Sequence, residues 1–179
     1  MIRNIYLNNA KKYVIGKAID FGCGAGEFLE RLPKGSLGLE VIPEIVNSNL
    51  NKGLRIKLFD PAKDQYTFNT LGISNGEFET FISMHVFEHL ENSQEIIKKI
   101  FSVCEKIGVK RIIIIVPCLK GFKSLAEHIT YVDAKYLKKN GLENYSNYKL
   151  SKLKYFPLNF ETVGRYFTHS EMIAIWDSQ

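Results

Sequence analysis

A chain of 179 residues, 45% hydrophobic and 24% charged, has the material for one globular domain over residues 1–179. Its longest apolar run, Ile112 to Val116 with an extension to Leu119, is far short of the roughly 20 residues of a membrane span, and the opening residues lack the continuous apolar core of a secretory signal. The net charge of +5 is carried by scattered lysines and by pairs such as Lys11-Lys12, Lys98-Lys99 and Lys138-Lys139, a pattern of solvated helix faces that disfavours a nucleic-acid partner. Cys23, Cys104 and Cys118 are an odd number with no Cys-x-x-Cys pair, which reads as free thiols in a reducing cytoplasm.

Taken in chain order, residues 1–16 predict a short amphipathic helix with Ile2, Ile5 and Tyr6 on one side. Residues 17–21 predict a strand and 25–32 a helix, where Phe28, Leu29 and Leu32 recur until Pro33 and Gly35 stop the pattern. Leu37 to Ile42 is a second strand, and Pro43 suits the first turn of a helix that Gly53 ends. Arg55 to Asp60 alternates as a third strand, residues 62–78 are irregular, and Thr80 to Val86 is a fourth strand. Ser93 to Ile107 carries apolar residues at helical spacing, with Gly108 beyond it. Val109 to Val116 reads as a central parallel strand covered on both faces. A last helix is expected over Tyr131 to Asn140, and two tail strands over roughly 145–156 and 166–176. Alternating strands and helices predict a doubly wound α/β sheet with ligands at the carboxyl ends of its strands.

The segment Lys17 to Arg31 organises this order. An acid, Asp20, precedes a turn Gly22-Cys23-Gly24-Ala25-Gly26 set between strand and helix. Glycine lets the backbone turn sharply and lie close to a ligand, and loop amides with a helix N-terminus favour a carboxylate or phosphate. Dinucleotide folds use Gly-x-Gly-x-x-Gly; here the third glycine comes one residue early. On these residues the chain resembles class I S-adenosylmethionine-dependent methyltransferases, whose first motif is an acidic residue followed by Gly-x-Gly-x-Gly. The likeness extends over the whole element order and implies a seven-stranded, mostly parallel sheet with an antiparallel last strand. It implies S-adenosylmethionine as cofactor, with Asp20 near its ammonium and the backbones of Gly22, Cys23, Gly24 and Gly26 along its methionine portion. Glu40, ending strand two, stands where such sheets place an acid for the ribose hydroxyls. The resemblance puts Val41 or Ile42 on the adenine, Asp60 near the adenine amino group, and Met84 and His85 against the methionine chain. Asp60 before Pro61 fits a turn-capping aspartate equally well.

Strand four opens with Phe78-Glu79 and runs into His85-Val-Phe-Glu88-His89-Leu90. A strand end leading into Glu-His-Leu resembles the small-molecule branch of the family, and no Pro-Pro-aromatic turn of the amino-DNA enzymes is present. His-x-x-Glu-His is also a zinc-peptidase signature, but here it begins on a strand beside the glycine loop. Ubiquinone and small-RNA methyltransferases carry Glu-x-x-Glu-His at this place, with a distant metal-binding histidine in the RNA enzymes; His85 replaces the first glutamate, and His128 is the distant candidate. The simpler reading, in which His89 caps or packs and His128 bonds a backbone carbonyl, assigns no metal. His85, His89 and His128 are the candidate bases for a hydroxyl acceptor, and Tyr131 with His128 the candidate acceptor contacts. The expected activity is methyl transfer to a small-molecule acceptor, with sugar O-methylation as the lean by family analogy. RNA methylation and a catalytically idle cofactor-binding partner module are the rivals, and an oligomer is compatible with either.

Overall fold

The computed structural model describes residues 2–179; Met1 and the side chain of Ile2, named above for the first helix, lie outside the described residues. Five helices and eight strands form one doubly wound sheet. They run α1 (Ile2–Lys11), β1 (Ala18–Phe21), β2 (Leu37–Glu40), α2 (Pro43–Asn51), β3 (Ile56–Leu58), β4 (Thr80–Met84), α3 (Ser93–Lys106) and β5 (Arg111–Pro117). A four-residue helix α4 (Leu119–Phe122), α5 (Ala134–Lys139), β6 (Asn144–Tyr145), β7 (Tyr148–Phe156) and β8 (Glu171–Ser178) complete the chain. The sheet order is β3-β2-β1-β4-β5-β8-β7-β6. The first five strands are parallel, and β8 enters antiparallel between β5 and β7. The sheet has eight strands rather than seven, because the expected strand over 145–156 is a hairpin whose first arm is the two-residue β6.

The isoleucine run explains the centre. Ile112, Ile114 and Val116 point into one layer with Phe81, Met172, Ala174 and Trp176, against α3 residues Ile97, Ile100, Phe101 and Cys104. Ile113 and Ile115 point the other way with Ile82, Ile173 and Ile175, into a layer closed by Tyr6, Leu7 and Ala10 of α1 and by Phe28, Leu29 and Leu32. Strand alternation thus divides one apolar run between two cores. Two polar groups caught in the α3-side layer are paired: Trp176 Nε1 donates to Leu142 O at 2.7 Å, and Tyr148 Oη to Val109 O at 2.6 Å.

Two local expectations change. Ile5 is 56% exposed while Tyr6, Leu7 and Ala10 are buried, so the apolar face of α1 is turned away from Ile5. The segment after the glycine turn is no α-helix but a 3-10 turn over Leu29–Arg31. Pro33 lacks an amide and holds Leu32 extended, at φ −74° and ψ 160°, leaving too few residues to propagate a helix. Phe28, Leu29 and Leu32 are buried all the same.

Candidate functional site

Asp20 lies one residue before the end of β1 and is 1% exposed. Its Oδ2 is buried with no hydrogen-bond partner. Burial, and then the nearby Glu40 charge, raise its carboxyl to about 7. An unpaired buried carboxyl is costly unless a ligand completes it.

The glycine turn works differently from the sequence expectation. Gly22 N and Cys23 N donate to Leu39 O at 2.9 and 3.1 Å, Gly24 N to Glu40 Oε2 at 2.9 Å, and Gly26 N to Cys23 O at 3.0 Å. These amides are taken up inside the protein, and no α-helix N-terminus backs them, so the turn offers shape rather than an anion nest. Gly24 shows that shape: its φ is +51°, and a Cβ there would meet nothing within 4 Å, so the backbone borders open space. Asn49 of α2 and Lys52, just past its end, anchor the turn from behind. Asn49, fully buried, donates Nδ2 to Gly24 O at 2.7 Å, and Lys52 Nζ reaches Ala25 O at 2.8 Å.

Glu40 does more than end β2. Its Oε2 holds Gly24, while Oε1 accepts from Val41 N at 2.8 Å and Ile42 N at 3.1 Å. Beside it, Val41 and Ile42 leave apolar side chains 50% and 45% exposed at the rim, an open surface suited to a flat ring. Asp60, two residues past β3, caps its own turn: Oδ1 accepts from Ala62 N and Lys63 N at 3.1 Å, and Lys63 Nζ stands 3.2 Å from Oδ2. Those backbone bonds, chiefly the one from Lys63, hold its carboxyl below the usual range.

Two adjoining cavities occupy the carboxyl edge of the sheet. One, of about 230 Å³, is bordered by Asp20, Gly22, Cys23, Gly24, Met84 and the α1 residues Arg3, Tyr6 and Leu7. The other, of about 370 Å³, is bordered by Phe156, His169 and Glu171. Arg3, Tyr6 and His85 border both. Helix α1 is the roof of the first cavity, tied to the loop by the Arg3–Glu27 ion pair.

His85 sits at the junction with φ +56°, a strained backbone for a non-glycine residue. Its amide donates to Ile115 O at 3.0 Å. Its Nδ1 faces Glu88 Oε1 at 3.2 Å, and its Nε2 lies 3.5 Å from Glu171 Oε2 and 3.4 Å from Tyr6 Oη. Burial alone would lower its pKa, but the hydrogen bond to Glu88 and the Glu171 charge outweigh it and the pKa rises.

His89 and His128 are brought together on the other side of Glu88, their rings 4.8 Å apart, and neither borders the two cavities. His128 Nδ1 lies 2.8 Å from Phe122 O, and His89 Nδ1 3.3 Å from Glu127 O. With Nδ1 bonded to a carbonyl, Nε2 is the nitrogen left on each ring as a ligand. Glu88 is fully buried with Oε2 unpartnered. One ligand-type atom from each of Glu88, His89 and His128 falls within 4.8 Å of the others, so the trio fits a divalent cation by its donor types and convergence. Tyr131 packs on Phe122 with ring centroids 5.1 Å apart, away from both cavities.

Glu171 and Asn49 were missed by the sequence reading. Asn49 carries no motif. Glu171 lies at the start of its strand, whereas parallel sheets direct attention to strand ends; the signal was the antiparallel tail, which brings a strand start to the ligand edge.

A family described as "Methyltransferase domain" matches residues 6–173. Among solved structures, an S-adenosylmethionine-dependent methyltransferase from Archaeoglobus fulgidus is similar over 98% of this chain and 93% of its own, with a TM-score of 0.69 and 18% identity. Magnesium protoporphyrin IX methyltransferase from Synechocystis, solved with S-adenosylhomocysteine, aligns with 99% of this chain and 83% of its own at a TM-score of 0.68 and 12% identity. The methyltransferase domain of bacterial CtHen1 aligns with 98% and 95% of the two chains at a TM-score of 0.63 and 17% identity. No curated protein sequence matches the chain. No helix among the described residues is long and apolar enough to cross a membrane. The chain belongs to the methyltransferase-domain family, and its fold is the Rossmann-like one of solved S-adenosylmethionine-dependent methyltransferases.

Proposed function

We propose that this methyltransferase acts on a hydroxyl of a small metabolite, a sugar or a similar ring compound. The observation that carries the reading is the pair of cavities meeting at Tyr6 and His85: one has the acid and glycine turn of a donor site, the other has ionisable groups and aromatic walls. The unpaired Asp20 Oδ2 fits the cofactor's ammonium, the open face of Gly24 its methionine chain, and the exposed Val41 and Ile42 its adenine. Bound S-adenosylmethionine supplies an already activated methyl group, so the protein's work is alignment and proton removal. Tyr6 and Arg3 of α1 border the junction on the helix side. Glu40 accepts from ribose hydroxyls while its amide bonds hold the turn in register with β2.

The test is thermal unfolding with S-adenosylhomocysteine, with NAD as control, followed by methyl transfer across a metabolite panel using Asp20→Ala as the negative. Ligand at 100 times its Kd should stabilise by about 2.7 kcal/mol. A shift with NAD and none with S-adenosylhomocysteine would reverse the assignment.

A second reading, transfer to an RNA hydroxyl aided by a cation, is favoured by the Glu88–His89–His128 trio and draws on the likeness to the CtHen1 domain. A cation in the trio would supply Lewis-acid polarisation of an oxygen. Calorimetric titration of the protein with manganese or zinc, compared with His128→Gln, tests the trio. Salt-dependent binding of a short RNA tests the partner.

A further inference from the structure

We propose that Glu171 receives the proton of the acceptor hydroxyl, that His85 positions its carboxylate, and that the acceptor presents this hydroxyl on a ring packed against the Tyr6–Phe156 pair. The proposal rests on the methyl-transfer reading above and adds to it the residue that takes the proton and the shape of the acceptor.

The topology comes first. β8 runs antiparallel, so its first residue arrives where β4 and β5 end; Glu171 is in register with Pro117 of β5 on one side and Phe156 of β7 on the other. Its side chain is 11% exposed, and that exposure opens into the 370 Å³ cavity it borders with Phe156 and His169. Its Oε2 is buried, makes no hydrogen bond and lies 3.5 Å from His85 Nε2, an ion-pair separation, which leaves Oε1 as the oxygen for a further donor.

Both ring nitrogens of His85 are already engaged inside the protein, Nδ1 with Glu88 Oε1 at 3.2 Å and Nε2 with Tyr6 Oη at 3.4 Å and Glu171 Oε2 at 3.5 Å, so neither is left to face an acceptor hydroxyl. His89 and His128 border neither cavity. Glu171 is the remaining base at the junction. The groups facing it are His85 from the end of β4, Glu88 from the turn after it, Tyr6 and Arg3 from α1, and His169 from the loop before β8. Burial, opposed by the His85 charge and helped by that of Glu88, places the carboxyl at about 7, a poise suited to base catalysis near neutral pH. Tyr6 and Phe156, with centroids 5.6 Å apart, form the walls against which a ring can pack.

The step balances without a further reagent. As the hydroxyl oxygen forms its bond to the methyl carbon, the carbon–sulfur pair returns to sulfur and the hydroxyl proton passes to Glu171. The sulfonium charge is thereby lost and the Glu171 charge neutralised.

The test uses the protein saturated with S-adenosylhomocysteine, observed by NMR with labelled aromatic residues, with phenol and methyl α-D-glucoside as separate probes. One probe should perturb Tyr6, Phe156 and His85; phenol alone would mark an aromatic hydroxyl acceptor, the glucoside alone a sugar. Its binding should strengthen as pH rises from about 6 to 8 in the wild type. Glu171→Gln should weaken it roughly tenfold and remove the pH dependence, with S-adenosylhomocysteine affinity kept within about twofold. His85→Gln should move the midpoint of that dependence upward, a shift a purely structural role would not produce. Perturbations mapping elsewhere in the wild type, or unchanged probe binding in Glu171→Gln, would overturn the proposal while leaving the donor site standing. Failure of the wild type to bind S-adenosylhomocysteine would overturn the methyl-transfer reading and this proposal with it.

Discussion

Folding raises the carboxyls of Asp20 and Glu171, each to about 7. Their protonated forms therefore favour the folded state below the ordinary carboxylate range, and this contribution is lost as pH rises through 7. The ligand-free protein should lose thermal stability between about pH 5 and 8. Stabilisation by S-adenosylhomocysteine should grow over the same interval, because its ammonium favours ionised Asp20. Unfolding scans across that range, with and without ligand, check both slopes; parallel curves would detach Asp20 from the ligand. Glu40 invites a sharper substitution. Its two oxygens each hold backbone amides, Gly24 on one and Val41 with Ile42 on the other. Glutamine keeps only one acceptor oxygen, so Glu40→Gln must turn an amide group against a backbone N–H. It should cost about 1–3 kcal/mol of stability and bind ligand nearly as poorly as Glu40→Ala. An unaffected Gln variant, by melting and calorimetry, would refute this. The aspartate, the glycines and Glu40 stood out in the sequence through their spacing taken with the family resemblance. That Glu40 also fastens the turn was not, because a carboxylate's second partner depends on loop geometry that no motif encodes.

At the scale of elements, the glycine turn is held by α2 rather than by a helix of its own. Asn49→Ala removes a buried donor to Gly24 O and leaves that carbonyl unpaired. It should lower ligand affinity by roughly tenfold through a loosened turn and destabilise the fold by about 1–2 kcal/mol. Ligand calorimetry alongside urea unfolding separates the two effects. Helix α1 covers the glycine-turn cavity through Tyr6 and Leu7 and is pinned by Arg31, whose guanidinium donates to Asn4 at 2.7 Å and Asn8 at 3.0 Å. The sequence showed an amphipathic start but could not show that it serves as a roof, since periodicity gives a buried face without its partner. The segment 25–32 carried helical spacing and folded as a 3-10 turn, because Pro33 limits the available length more strongly than apolar spacing favours propagation. Strands were read closely where both faces are buried, as in β5, and loosely at the edge, where β3 keeps only three residues.

For the whole molecule, the two cores lie on opposite faces of one sheet. Ile114 is fully buried in the α3-side layer. Ile114→Ala should cost about 2–5 kcal/mol in denaturant unfolding and leave ligand affinity at the remaining fold nearly unchanged. The overall order was legible because each parallel unit announces itself locally as strand, turn and helix. The acceptor side was less so, because it is built from residues distant in sequence that only the reversed β8 brings together. That reversal also sets the order in which the enzyme matures on the ribosome. β8 is made after the glycine turn, and until it inserts between β5 and β7 the sheet is split and Glu171 is absent from the cleft. The glycine-turn cavity draws on no residue after His85, whereas the cavity at Glu171 waits for a pairing of β8 with β5 that is distant in sequence, the slower kind of contact to form.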